Sequence, residues 1–143
     1  YRMRLQFRVR GGIVPGHQRN TRQRAAIAEA FEGAGGPLSA QEVLERARGV
    51  VPGLGTATVY RALGGMLEEG VLAVVHLPGQ APRYEKAGKD HHHHFCCRRC
   101  GRAFEMEGCA AGVQALAPAG FVVEGHDLVL TGLCAGCVGE GTA

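Results

Sequence analysis

Two cysteine pairs in the last third of the chain have the spacing of a metal site. They are Cys97-Arg-Arg-Cys100 and Cys134-Ala-Gly-Cys137. Four thiolates complete the tetrahedral coordination of zinc and leave no open position, so a site of this type is structural. Either pair alone is also compatible with a disulfide or a redox pair, but the presence of both favours zinc. The 33 residues between the pairs exceed the roughly 15–20 of a simple zinc ribbon, so the ion would join two ends of a subdomain.

Four consecutive histidines, His91 to His94, precede the first cysteine pair. In an extended segment alternate side chains point to opposite sides, so His91 and His93 would serve one site and His92 and His94 another. Imidazole combined with carboxylate or a single thiolate suits zinc, iron, manganese or nickel, and ligand type alone does not separate them. The alternative is a solvated polar run. Candidates for the remaining ligands are Glu85, Glu105, Glu107, Cys109 and His126.

Two helices are predicted in the first third of the chain. Apolar residues between positions 25 and 31 recur at helical spacing, and the glycine-rich stretch 33–37 ends the pattern. Ser39 and Glu42 then form a capping box, in which the serine accepts a hydrogen bond from a first-turn amide and the glutamate accepts one from the serine amide. This signal predicts a second helix that runs to about Arg48.

A third helix and a hairpin follow and complete a winged helix-turn-helix pattern. Apolar residues line one face of the helix that begins at Thr56, and the opposite face carries Thr58 and Arg61. The segments 71–77 and 83–85 flank a turn that contains proline and glycine, and they predict a hairpin. In a winged helix the third helix enters the major groove of DNA and the hairpin lies against the backbone. The alternative is a helical domain with a hairpin that binds no DNA.

A change of composition at residues 87–90 indicates a linker between two units. Beyond it, the sequence predicts a strand at 103–106, a short helix at 109–117, and a second pair of strands at 121–123 and 128–130. Such a small α/β unit has little core of its own and needs a metal or a second copy of the chain. The expected fold class is therefore α+β, with an N-terminal winged helix-turn-helix domain followed by a small α/β dimerisation domain.

The composition is that of a folded chain with a basic N-terminal arm. The 143 residues are 45% hydrophobic and 20% charged, which excludes disordered and fibrous classes. No segment approaches the ~20 consecutive apolar residues that span a bilayer, and no signal-peptide core follows the basic start, so the expected location is cytoplasmic. Residues 1–24 hold seven arginines and no acid, a pattern typical of nucleic-acid-binding proteins. The alternative for the arm, residues 1–18, is a solubilising terminus.

Together these motifs resemble the ferric uptake regulator family. The resemblance rests on the helix segment Ala57-Thr-Val-Tyr-Arg-Ala-Leu63, the hairpin end Arg83-Tyr-Glu85, the histidine run and the cysteine pairs, and it covers about residues 19–138. It implies a homodimeric, metal-dependent repressor, not an enzyme, that binds double-stranded operator DNA and controls metal homeostasis genes. The implied regions are the arm (1–18), the winged-helix domain (19–86), the hinge linker (87–90) and the metal-binding dimerisation domain (91–143).

The same resemblance implies roles for individual residues. The structural zinc ligands would be Cys97, Cys100, Cys134 and Cys137. The DNA contacts would come from Thr56, Thr58, Tyr60 and Arg61, and independently of the resemblance we expect Arg22 and Arg24 to add phosphate contacts. A regulatory site at the hinge would comprise Glu85, His92, His94 and Glu105. A site in the dimerisation domain would comprise His91, His93, His126 and Cys109, with Glu107 as the alternative to the thiol.

Two departures from the family pattern bear on the metal. Many relatives take a hinge histidine from the loop before the second helix, where this chain has Gly33-Ala-Gly-Gly-Pro-Leu38. His76 or His17 would substitute, or three protein ligands would suffice. Iron-sensing relatives usually have an acid within the histidine run, and its absence here resembles the zinc-sensing branch. The expected cofactors are a structural Zn²⁺ and a second, regulatory divalent ion, with zinc favoured and iron or manganese as alternatives.

Three other functions are compatible with these residues. Within the family, Fe²⁺ held by nitrogen and oxygen ligands would suit a peroxide sensor. A zinc hydrolase would use His91, His93 and His126 around an open metal position, with Glu105 or Glu107 as general base. A structural zinc-ribbon adaptor would hold one tight zinc and show no metal-sensitive binding.

Overall fold

The structure of the protein, a computed structural model, describes residues 15–139 and the side chains of residues 18–139. Most of the predicted basic arm, residues 1–14, lies outside this range. The N-terminal unit contains α1 (Pro15–Glu29), β1 (Leu38–Ser39), α2 (Ala40–Arg48), α3 (Thr56–Glu68), β2 (Leu72–Val75) and β3 (Arg83–Lys86). The C-terminal unit contains β4 (His93–Cys97), β5 (Ala103–Met106), a 3-10 turn (Val113–Leu116), β6 (Val129–Gly132) and α4 (Ala135–Val138). This mixture of helix and sheet agrees with the predicted α+β class.

Three helices and a small sheet form the N-terminal unit. Ile27 of α1, Val43 of α2 and Leu63 of α3 are almost fully buried against one another in its core. The predicted capping box is present, because Ser39 Oγ accepts from the Glu42 amide at 3.2 Å and Glu42 Oε2 accepts from the Ser39 amide at 2.8 Å. The hairpin β2–β3 is antiparallel, and β1 adds to it in the order β1-β3-β2. The predicted helices and hairpin are therefore confirmed, and β1 was not expected.

The first helix begins earlier than the sequence pattern predicts. The apolar pattern places the first helix at positions 25–31, yet α1 starts at Pro15. Proline is tolerated in a first turn, because its missing N–H would have no helical partner there and its fixed φ suits the helix. The predicted boundary between arm and domain, at residue 18, therefore falls inside a helix. No helix among residues 15–139 has the length and apolar character needed to cross a membrane.

The C-terminal unit is a three-stranded sheet in the order β5-β4-β6. The central strand β4 pairs antiparallel with β5 and parallel with β6. Two predictions were wrong here: 121–123 form no strand, and 109–117 contain only the 3-10 turn. The side chains of Leu116, Phe121 and Val122 are 71–87% exposed, so little packing within the chain stabilises regular structure in this stretch.

The two units contact each other beside β5. The Glu105 amide donates to the Gly35 carbonyl at 2.8 Å. Gly36 lies so close to β5 that a Cβ atom there would be 2.7 Å from Phe104 Cα. The buried guanidinium of Arg83 adds a second connection, because it donates to Glu42 Oε2 at 2.6 Å and to the Gly101 carbonyl at 2.5 Å. The loop before α2 therefore docks on the free edge of the C-terminal sheet.

Candidate metal centres and nucleic-acid interface

The structure brings the four predicted zinc ligands together in a thiolate cluster. Its members, whose sulfur atoms all lie within 4.8 Å of one another, are Cys97, Cys100, Cys134 and Cys137. A tetrahedron with Zn–S bonds of about 2.3 Å has sulfur–sulfur edges of about 3.8 Å. The Cys100 and Cys134 sulfurs are 3.8 Å apart. The donors and their spacing therefore fit a closed, structural zinc site.

Backbone hydrogen bonds shape the turn of the thiolate cluster and stabilise one of its thiolates. Gly101 has a φ of +71° and closes the turn that contains the first cysteine pair. Its backbone N–H donates a hydrogen bond to the Cys97 carbonyl at 2.9 Å. Backbone amides of Cys100 and Cys134 lower the pKa of the Cys97 thiol to about 6, because they stabilise the thiolate. Hydrogen bonding to the Cys134 thiol, together with burial, raises the pKa of Cys137 to about 12. A thiolate at Cys97 is the protonation state that a metal requires.

Three of the predicted hinge ligands form a second group, the hinge cluster of Glu85, His92 and His94. The two imidazoles approach the same carboxylate oxygen: Glu85 Oε2 is 3.2 Å from His92 Nε2 and 3.5 Å from His94 Nε2. His94 Nε2 is buried without a hydrogen-bond partner. Because a buried polar atom rarely stays unpaired, this nitrogen fits a metal ligand.

The other ring nitrogen of His92 is oriented by the linker. Its Nδ1 is 2.7 Å from the Asp90 carbonyl, which leaves Nε2 directed at Glu85. Burial opposes protonation of His92, but the Asp90 carbonyl and the Glu85 and Glu105 charges outweigh it and raise the pKa of the ring. A backbone carbonyl that fixes the tautomer of a ligating histidine is a common feature of metal sites.

Glu105, the fourth predicted hinge ligand, lies outside the hinge cluster. It is directly opposite His94 in the β4–β5 pairing, but its carboxylate forms a close ion pair with Lys89. This hydrogen bond lowers the pKa of Glu105. Lys89 also reaches Glu85 Oε2 at 3.4 Å. Sequence reasoning missed Lys89, because its partners come from two strands that meet only in the folded chain.

A third cluster lies on the other side of β4. Its members are His91, His93, Cys109 and His126, all within the same 4.8 Å limit. His126 Nε2 is 3.0 Å from Cys109 Sγ and 3.4 Å from His91 Nε2. Neither ring nitrogen of the buried His93 has a hydrogen-bond partner, and burial and the nearby His91 and His126 lower its pKa. A neutral imidazole with unpaired nitrogens fits a metal ligand, and the structure does not place Glu107 in this group.

The alternation of the histidine run therefore has the predicted geometry. His92 and His94 face the hinge cluster, and His91 and His93 face the third cluster. Of the two substitutes considered for the loop histidine, His76 lines the same cleft of about 500 Å³ as Glu85 and His94, but it is not a member of the cluster. The side chain of His17 lies outside the described residues.

The exposed face of α3 carries the residues predicted to contact DNA. Val59, Leu63 and Met66 are buried on the inner face. Thr56, Tyr60 and Arg61 are exposed and Thr58 is half-buried, with the Arg61 guanidinium 3.5 Å from Thr58 Oγ1. Arg22 is exposed on α1, whereas the neighbouring Arg24 is paired with Glu69. The packing thus leaves a hydroxyl- and arginine-bearing helix face available to a partner.

Comparison with known proteins gives consistent matches. The sequence model of the ferric uptake regulator family matches residues 16–131. The zinc uptake regulation protein of Mycobacterium tuberculosis is 34% identical over 122 residues, which cover 83% of this chain and 94% of that protein. Among solved structures, a zinc-bound manganese uptake regulator superposes with a TM-score of 0.69 at 26% identity, covering 78% of this chain and 87% of that chain. A zinc uptake regulator complexed with zinc and DNA superposes with a TM-score of 0.50 at 29% identity, covering 85% and 84%.

Proposed function

The chain belongs to the ferric uptake regulator family of metal-sensing transcriptional regulators, and from this premise we propose that it is a zinc-responsive repressor that binds operator DNA as a homodimer. The observation that carries the proposal is the hinge cluster, because its ligands come from both units. Glu85 lies on β3 of the winged unit, and His92 and His94 lie beyond the linker.

The placement of these ligands supports a mechanism in which ion binding sets the orientation of the two units. Glu85, His92 and His94 would hold the ion, which supplies a positive centre that all three ligands can share. A ligand favours one conformation only through its differential affinity for it. Ion binding would therefore favour the conformation in which Glu85 contacts the two histidines. Two winged helices of a dimer must match half-sites about one helical turn apart, so a defined hinge angle favours specific binding.

The donor chemistry supports zinc as the structural metal and at the third cluster, and sequence similarity supports it as the regulatory metal. The thiolate cluster is a closed all-sulfur site, which zinc accepts. The Cys109 sulfur in the third cluster also favours a softer ion over manganese. The identity of 34% with a zinc uptake regulation protein points the same way. Iron, manganese and peroxide sensing are the alternatives within the family, and the titration below distinguishes the metals.

The DNA contacts would come from α3 and α1. Tyr60 and Arg61 are exposed at the centre of α3, where they would reach base edges, and Thr56 and Thr58 would contact phosphate. Arg22 on α1 would add a phosphate contact. Since six described cysteines are free thiols, we place the protein in a reducing compartment, the cytoplasm.

The test is a titration of operator binding with Zn²⁺, Fe²⁺ and Mn²⁺ under anaerobic, metal-buffered conditions, with the thiolate cluster kept filled. The operator is obtained by selection from a genomic fragment pool. Zinc should tighten specific binding at least tenfold, which corresponds to about 1.4 kcal/mol of coupling. His92→Ala and Glu85→Gln should lose this stimulation, because each removes a hinge ligand.

His76→Ala is the matched control, since this histidine lines the same cleft without joining the cluster. It should keep the full zinc response. Stimulation by iron or manganese instead of zinc would reject the zinc assignment. An equal zinc response in the wild type, His92→Ala and Glu85→Gln would reject the hinge mechanism.

A further inference from the structure

The linker contributes a cation to the hinge. The Lys89 ammonium forms a close ion pair with Glu105 Oε2 and lies 3.4 Å from Glu85 Oε2. Its side chain is 30% exposed, so the ammonium is partly withdrawn from water. Lys89 therefore connects a carboxylate of β3 with a carboxylate of β5.

Lys89 and the hinge histidines use the same oxygen atom. Glu85 Oε2 is the atom contacted by Lys89 Nζ, by His92 Nε2 and by His94 Nε2. Lys89 also lines the cleft into which these ligands open. A carboxylate oxygen that accepts from an ammonium has fewer lone pairs for a metal, and two cations at such a distance repel each other. Binding of a divalent ion by Glu85 Oε2 would therefore weaken the contact of this oxygen with the Lys89 ammonium, and the ammonium would in turn weaken binding of the ion.

Lys89 also determines where the Glu105 carboxylate lies. Side chains directly opposite in an antiparallel pair have Cβ atoms about 4.5–5.5 Å apart, and Glu105 is opposite His94. Glu105 could therefore reach the hinge cluster by rotation of its own side chain. Its pairing with Lys89 instead leaves it outside the group formed by Glu85, His92 and His94.

We propose that Lys89 is a built-in competitor for the metal at the hinge, which raises the metal concentration at which the site fills and, until it is displaced, holds Glu105, the fourth hinge ligand that the family resemblance implies, away from the ion. This inference rests on the proposed function, since it takes the hinge cluster to be the regulatory site. Lys89 thus sets the zinc concentration at which the hinge site fills, without itself binding the ion.

The test measures the zinc affinity of the hinge in the full chain, by competition against a chromophoric chelator, with the thiolate cluster filled. The hinge step is identified as the one that Glu85→Gln abolishes. Lys89→Ala should tighten this step about threefold to tenfold, as expected for loss of two partly exposed ion pairs. Lys89→Arg keeps the charge and a planar group that pairs well with carboxylates, so it should not tighten this step.

Lys86→Ala is the matched control. Lys86 lies on β3, three residues before Lys89, and its ammonium pairs with Glu32 at 2.5 Å instead of a hinge carboxylate, so its removal should leave the zinc affinity unchanged. Glu105→Gln should weaken zinc binding, because the freed carboxylate is the fourth ligand. The Co²⁺-loaded protein gives a second readout, since loss of a carboxylate ligand in Glu105→Gln should shift the visible absorption bands.

The outcomes separate the inference from the function on which it rests. Unchanged or weaker zinc binding in Lys89→Ala, with thermal unfolding like that of the wild type, overturns the competitor role. Wild-type zinc affinity and Co²⁺ bands in Glu105→Gln overturn the fourth-ligand role. If Glu85→Gln abolishes no zinc-binding step, the proposed function itself fails.

Discussion

The histidine run, whose last two residues begin β4, shows how alternation along an extended segment separates two chemical environments. His92 and His94 turn toward a carboxylate, whereas His91 and His93 turn toward a thiol and a further imidazole. The residue type is identical at all four positions, so the partners alone decide which metal chemistry each pair can support. The ring nitrogens of His93 and His94 that have no hydrogen-bond partner fit the metal ligands predicted on both sides.

Arg61 gives a prediction at the same scale. Its guanidinium is exposed on α3 and contacts only the Thr58 hydroxyl among the interactions observed, at 3.5 Å. Arg61→Ala should therefore leave thermal stability unchanged and weaken operator binding by roughly 1–3 kcal/mol, the usual cost of one lost base contact. Fluorescence anisotropy at several salt concentrations measures this effect.

Arg102→Ala is the control for Arg61, because it removes the same charge from the C-terminal unit, where the guanidinium lies over the Phe104 ring. It should bind the operator like the wild type. Equal losses in the two variants would mean that α3 contributes only net charge.

At the scale of elements, the loop before α2 contacts the C-terminal unit through its backbone. Here Gly35 accepts a hydrogen bond from the Glu105 amide at 2.8 Å, and Gly36 lies against the backbone of β5. Glycine is required at Gly36 because a Cβ there would overlap Ala103 and Phe104. The loop thus positions the winged unit next to Glu105 without contributing a metal ligand.

Gly36→Ala should accordingly disrupt this docking. Overpacking against a backbone typically costs about 1–3 kcal/mol, and here the contact can be relieved by separation of the loop from β5. We expect faster hydrogen exchange at the Glu105 amide, which loses its bond to Gly35, and a smaller zinc stimulation of DNA binding. Amide exchange followed by NMR measures the first effect.

Gly53→Ala is the control, because a Cβ at Gly53 meets no atom within 4 Å and its φ is not in the left-handed region. It should retain wild-type exchange at Glu105. Unchanged exchange in Gly36→Ala would show that the loop is not held on β5.

At the scale of the whole molecule, the C-terminal unit leaves a large apolar surface uncovered. Leu116, Phe121 and Val122 are all more than two-thirds exposed. Exposed apolar surface of this kind usually marks an interface. A second copy of the chain is the expected partner, because a repressor that reads two half-sites needs two winged helices.

The double substitution Phe121→Glu with Val122→Glu should therefore shift the protein toward monomer and weaken operator binding. Burying two carboxylates in an apolar interface costs several kcal/mol unless they are paired. Sedimentation velocity gives the mass in solution. Val50→Glu, at an exposed apolar position of the winged unit, should keep the wild-type mass. An unchanged mass in the double variant would place the interface elsewhere.

Sequence alone determined the features that depend on local geometry. The capping box at Ser39, the three helices, the hairpin and the alternation of the histidine run follow from hydrogen bonds and side-chain directions within a few residues. The joint zinc site of the two cysteine motifs was also predicted from sequence, because each pair supplies two thiolates and a closed tetrahedral zinc site takes four ligands. Apart from this pairing, these features are specified by neighbours in the chain, so no knowledge of distant packing was needed to predict them.

Only the tertiary structure decided the features that depend on distant segments. The parallel pairing of β6 with β4, the docking of Gly36 on β5 and the Arg83 connection join residues far apart in sequence. The same is true of Lys89, which draws Glu105 away from the hinge cluster. Such contacts depend on how packing and charge are arranged across the whole folded molecule. The local sequence around each residue therefore does not predict them.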